Sequence, residues 1–275
     1  MLPGVASGDV RAVHRARVAT RRLRELVPVL QLAPDASRKL GKRLRDATRR
    51  LGTARELDVF EALLDELRES GRYPDGALQA VAADLRARRG VAGRVEGAVL
   101  VDKLRRLARK LDDVAGALER EGEGRPGARG WHWALEARVA RRASNLVNAI
   151  DAAGAVYLPE RLHAVRIAVK KLRYGIELSA DARHASAEQD LRALRRWQEL
   201  LGRLHDLQVL IDRVRQLPTP PSPLETTARH EQDALLAALE RTCRHLHARY
   251  VRARPDMVAL TDRYADRVVS ARRAG

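Results

Sequence analysis

The residues from Val13 to Leu30, VHRARVATRRLRELVPVL, return 149 positions later as LHAVRIAVKKLRYGIEL, Leu162 to Leu178. On a helix, which turns about 100° per residue, His14, Arg17, Arg21 and Arg24 fall in one narrow arc, with Ala16, Ala19, Leu23, Leu26, Val27 and Leu30 opposite. The copy places His163, Arg166, Lys170 and Arg173 on one side, Leu172 and Ile176 on the other. A solvated helix face normally mixes signs, because like charges three or four residues apart repel. An all-cationic stripe with one histidine, occurring twice, commits both segments to amphipathic helices and marks a surface suited to an anion.

A second motif is duplicated in the same order. LGTARELDV, Leu51 to Val59, matches LGRLHDLQV, Leu201 to Val209, at an offset of 150. The chain therefore divides into a first repeat, residues 1–154, and a second, 155–275. Apolar periodicity predicts helices from Asp9 to about Leu32 (Pro28 being a kink or early stop), Ser37 to Ser70, Ala77 to about Arg120, and Trp131 to about Ala153. Gly90, Gly93 and Gly97 weaken the third of these, and EGEGRPGARG, Glu121 to Gly130, reads as a loop. In the second repeat, Pro159 opens the helix that carries His163, and Ser186 with Gln189 and Ser222 with Glu225 read as capping boxes for helices near 187–216 and 223–253. LPTPPSPL between them is a linker, and a last helix follows Pro255. No run alternates polar and apolar residues. The expected fold class is all-α: two tandem, repeat-related bundles of about four helices each.

The second helix of each repeat carries its own cations. Lys42, Arg45 and Arg49 share a face; Lys42 and Arg45 correspond to Arg192 and Arg195, whereas Arg49 meets Glu199. Glu56 and its counterpart Asp206 follow these rows. Either carboxylate orients an arginine or a histidine by a charge-assisted hydrogen bond, or it makes an ordinary intrahelical ion pair, worth about 0.3 kcal/mol.

Lys and Arg number 53 against 36 Asp and Glu, a formal charge of +17, which calls for a polyanionic partner or an anionic surface. A compositional bias toward Arg and Ala explains such an excess but not its placement in stripes. The single cysteine, Cys243, excludes an internal disulfide framework and fits a reducing compartment. With no secretory pattern at MLPGVASGDV and no apolar run approaching about 18 residues, a cytoplasmic protein without a membrane span is expected. The sequence has no Gly-rich phosphate loop with lysine, no carboxylate cluster for magnesium and no assembled nucleophile and base. Binding without catalysis is expected, with no catalytic residue, no metal and no cofactor. The competing reading is a backbone-directed RNA or other nucleic-acid binder. Base recognition in single strands generally uses aromatic platforms, and Phe60, Trp131, Trp133 and Trp197 do not interleave with the stripes.

The four segments Val13 to Arg24, Leu51 to Val59, Leu162 to Tyr174 and Leu201 to Val209, in this order, resemble the conserved histidine α-helical domain, the CHAD family. The resemblance implies two similar helical bundles around a basic cavity and binding of inorganic polyphosphate, often on bacterial polyphosphate granules. It also implies that His14, Arg17, Arg21 and Arg24, with His163, Arg166, Lys170 and Arg173, line the cavity. The halves differ where His205 replaces Arg55 and Gln208 replaces Asp58, and the basic residues near Arg86, Arg88 and Arg89 have little counterpart around Arg229.

Overall fold

The computed structural model describes residues 2–7, 9–30, 32–92, 95–122, 128–217 and 225–273, with side chains at all of these except 2, 53–58, 88–92, 95–98, 121–122, 128–131, 225 and 266–273. Every regular element among them is helical. In chain order they are α1 (Leu2–Ala6), α2 (Val10–Leu26) with a 3-10 turn at Val27–Val29, α3 (Pro34–Glu69), α4 (Asp75–Ala92), α5 (Val95–Gly122), α6 (Ala128–Ala153), α7 (Pro159–Arg183), α8 (Glu188–Arg215) and α9 (Glu225–Arg273). The all-α class expected from periodicity is the observed one.

Local chemistry accounts for most of the boundaries. The Asp9 side chain caps α2 by accepting from the Ala12 amide at 2.5 Å. Pro28 ends α2 in the 3-10 turn, so this helix stops short of the expected Leu32. Pro34 and Pro159 occupy the first turns of α3 and α7, where a missing amide leaves no bond unmade. Gly71 and Gly154, at φ +64° and +60°, turn the chain out of α3 and α6.

The expected third helix is described as α4, to Ala92, and α5, from Val95, and residues 93–94 between them lie outside the described residues. Two expectations need correction. Residue Ser186 does not cap α8; the cap position is Ala187, without a side-chain bond. Most consequentially, Pro255 does not separate two helices but lies inside α9. Proline in a helix interior costs about 3 kcal/mol, and burial beyond it offsets this: Met257, Leu260, Thr261 and Tyr264 are all buried. Asp190 of α8 accepts from the Tyr264 hydroxyl at 2.7 Å and from Arg263 Nη2 at 2.5 Å, holding the post-proline turns in place. The linker residues 218–224, with Ser222, and the loop residues 123–127 lie outside the described residues.

The apolar side chains form two clusters. The smaller draws on Val13 and Ala16 of α2, Leu40, Leu44 and Leu51 of α3, and Leu100, Leu104 and Leu107 of α5. The larger takes the apolar faces of α6, α7, α8 and α9 together with Phe60, Leu63, Leu64 and Leu67 from the far half of α3 and Leu78, Val81 and Leu85 from α4. The cores therefore do not divide at residue 154: α6, α4 and half of α3 contribute to the core of the second repeat. At a rise of 1.5 Å per residue the 36-residue α3 is about 54 Å long, enough to serve both clusters. Within this frame α2 packs against both α3 and α7. The two stripe-bearing helices are thus direct neighbours at the junction of the clusters.

Candidate functional site

Helix α2 buries Ala12, Val13, Ala16 and Thr20, and α7 buries Leu162, Val165, Val169, Leu172 and Ile176. With those faces fixed in the cores, the cationic rows are left at the α2–α7 contact. Lys170 is their common point. Burial pushes its amine down to about 7, and Arg21, Arg166, Arg17 and Arg24 act in the same direction. Four guanidiniums from both repeats therefore surround one lysine. Burial also lowers Arg24, opposed by Glu25 and reinforced by Arg45 of α3. For Arg166 burial is again the largest cause, with Asp206 opposing it and Arg21 adding to it.

Two of these cations reach across to neighbouring helices. Arg21 Nη1 donates to the Tyr174 hydroxyl at 3.4 Å and Arg17 Nη1 to the Leu51 carbonyl at 3.4 Å, both long. Two glycines make room. A Cβ on Gly52 would stand 3.2 Å from Arg17 Nη1, and one on Gly202 would stand 3.8 Å from Arg166 Nε. Arg17 and Arg166 are repeat partners, as are Gly52 and Gly202, so each half lays the same arginine over the same glycine.

The histidines are placed unequally. His163 and His205 meet with Nδ1 atoms 3.2 Å apart and ring centroids 4.4 Å apart. Burial, then Arg166, His163 and Lys170, hold His205 down to about 4; burial, Arg166 and Lys170 also lower His163. Burial and the neighbouring cations thus disfavour the charged form of both rings, and in the neutral pair one ring donates to the other. His14, which opens its stripe as His163 opens the other, is exposed. The counterpart of His205 is Arg55, whose side chain lies outside the described residues, as does that of the candidate orienting residue Glu56.

The remaining candidates separate from the cluster. Arg173 donates to Gln198 Oε1 at 3.0 Å, pairs with Glu177 and lies 4.4 Å over the Tyr174 ring. It is committed to packing α7 against α8. Arg192 and Arg195 approach Glu188 at 3.3 and 3.8 Å, and Arg195 also stands 4.0 Å from Glu177. Lys42, Arg45 and Arg49 line an open groove along α3, where Arg49 pairs with Asp46 at 2.7 Å. Of these three, Arg45 adjoins the α2 row, acting on Arg24.

A carboxylate missed in the sequence holds the stripe helix in place. Glu25 is buried and accepts from Arg138 Nε at 3.1 Å and from Arg142 Nε and Nη2 at 3.2 and 3.0 Å, joining α2 to α6. A buried carboxylate in a basic region persists only when paired in this way. The signal was present: Glu25 is the one acid between Asp9 and Asp35. The glycines of the LG pairs were visible in the motifs too, but their role depends on a facing helix.

Among the described residues no group of three or more His, Cys, Asp or Glu side chains stands together as a metal site, and no helix is long and apolar enough to cross a membrane. The arrangement offers anions a concentration of positive charge and many N–H donors. No curated protein and no solved structure matches the chain. The sequence model of the CHAD domain does match, over residues 2–215, which takes in every helix from α1 to α8 and both stripes. The chain belongs to the CHAD domain family.

Proposed function

We propose that this protein binds inorganic polyphosphate without chemically transforming it, through one cationic cluster built by α2 and α7. The observation that carries this reading is Lys170, partly buried where Arg17, Arg21, Arg24 and Arg166 all act on it. Gathering like charges raises the free energy of the unliganded protein, and a polyanion relieves it. The family is associated with polyphosphate binding. The two carboxylates beside the cluster, Glu25 and Asp206, act on arginines there, an orienting use rather than a catalytic one. Phe60, Tyr174 and Trp197 are buried, so these rings offer no platform for stacked bases, which favours a phosphate chain over RNA. Binding of this kind would bring the protein to polyphosphate granules in a cytoplasm.

The test is a titration of the protein with long-chain polyphosphate and with single-stranded RNA at matched phosphate concentration in about 0.15 M salt. Polyphosphate should bind at least about tenfold more tightly, a difference of roughly 1.4 kcal/mol. RNA binding equal to or tighter than this transfers the site to nucleic acid. Free phosphate, followed in the same samples with and without magnesium, should stay at the blank; sustained protein-dependent release would mean that the protein is an enzyme.

A further inference from the structure

Arg45 belongs to two neighbourhoods. It acts on Arg24 of the central cluster, and it lines the open groove that runs along the first half of α3 and is completed by Lys103 of α5. Seven cationic side chains and a single carboxylate, Asp46, line that groove. Asp46 accepts from Arg49 at 2.7 Å and Arg50 at 3.2 Å, with Lys103 Nζ 3.5 Å away. One negative charge thus gathers three positive ones, and the corner keeps a surplus of two. Lys39, Lys42, Arg43 and Arg45 are exposed along the same stretch, which at 1.5 Å per residue extends about 15 Å from Lys39 to Arg49.

The matching stretch of α8 is less cationic, although Asp46 becomes Arg196 there. At the offset of 150, Lys39, Arg43, Arg49 and Arg50 become Gln189, Ala193, Glu199 and Leu200. The two retained cations, Arg192 and Arg195, are drawn to Glu188. Among the described residues the denser cationic row is therefore that of α3, which Arg45 joins to the central cluster.

We infer that the α3–α5 groove is an extension of the polyphosphate site that distinguishes long chains from short ones: a chain that fills the α2–α7 cluster runs on past Arg45 between Lys39, Arg43 and Lys103. This rests on the polyphosphate reading above. Short polyphosphates are satisfied by the cluster alone, whereas longer ones add exposed ion pairs in the groove. Such pairs are individually weak and screened by salt, so the preference for length is itself salt-dependent.

The experiment compares tripolyphosphate with long-chain polyphosphate on the full chain and on a Lys39→Gln/Arg43→Gln variant. These side chains are exposed, and unchanged helical circular dichroism and thermal midpoint are checked first. The variant should lose roughly three- to tenfold in affinity for the long chain. Its log affinity against log salt slope should flatten by about 0.7 for each phosphate that is no longer neutralised, borrowing the single-strand nucleic-acid value. Tripolyphosphate binding should not change. Equal weakening for both ligands, or none for the long chain, overturns the inference. Weaker RNA binding with long-chain polyphosphate unaffected also overturns it, by making the groove a nucleic-acid surface. If the unmodified protein binds neither polyphosphate, the failure lies in the proposed function itself.

Discussion

At Lys170 folding and binding pull in opposite directions. Burial, helped by four neighbouring arginines, holds its amine at about 7 against an ordinary value of 10.5. Between those values the unfolded chain binds more protons at this residue than the folded one, so its contribution makes stability rise with pH from about 7 to about 10.5. Below that window both states are protonated and the cost of the buried charge is fully felt. A bound polyanion favours the protonated form and raises the pKa again. Binding of polyphosphate near pH 8 should therefore take up as much as about one proton at this residue. Calorimetry in buffers of different ionisation enthalpy measures this uptake, which should shrink in Lys170→Gln; an identical slope in both proteins would mean that Lys170 does not titrate against the ligand. The stripe that contains Lys170 was legible in the sequence, because a row of cations at helical spacing needs only the helix. Its depressed pKa was not, since that depends on α2 lying against α7. Arg173 shows the reverse difficulty: it fits the stripe by spacing, yet Glu177 one turn later and Gln198 on α8 hold it.

At the scale of helices, most of the fold follows from period and caps, and the departures come from burial. Pro255 reads as a stop in sequence because proline removes an amide and crowds the preceding turn. Met257, Leu260 and Tyr264 bury enough apolar surface to keep α9 continuous, and sequence alone does not reveal which surface they meet. The glycine pair gives an element-scale prediction in which two equivalent substitutions part company. Replacing glycine by alanine in a helix interior gains up to about 1 kcal/mol. At Gly202 the new methyl would lie 3.8 Å from Arg166, an ordinary contact, so Gly202→Ala should raise stability by about 0.5–1 kcal/mol and leave polyphosphate affinity unchanged. At Gly52 it would lie 3.2 Å from Arg17 Nη1, so the guanidinium must give way by a few tenths of an ångström. Gly52→Ala should therefore weaken binding even where denaturation shows a gain in stability. If both variants bind like the unmodified protein, close approach of Arg17 to α3 has no part in the site.

For the molecule as a whole, the duplication is plain in the sequence but the cores do not follow it, because α3 is long enough to enter both clusters and α6 joins the second. What unites the halves is the α2–α7 contact, and the four cations Arg17, Arg21, Arg166 and Lys170 test whether it makes one site. Glutamine at Arg17 and Arg21 in one protein, at Arg166 and Lys170 in another, and at all four in a third removes charge while keeping helix propensity. Each double variant should weaken the same long polyphosphate at unchanged stoichiometry. The two effects should not add. Arg21 and Arg17 help hold Lys170 down, so removing them lets its amine regain a proton more readily, and Lys170 then restores part of the attraction. That rescue is absent once Lys170 is also replaced. The fourfold variant should accordingly lose more affinity than the two doubles together, and the excess should be largest near pH 8, where Lys170 is mostly neutral in the free protein. Strict additivity would mean that the two rows do not sense one another. Disappearance of one of two separable binding events would mean that each repeat binds its own ligand.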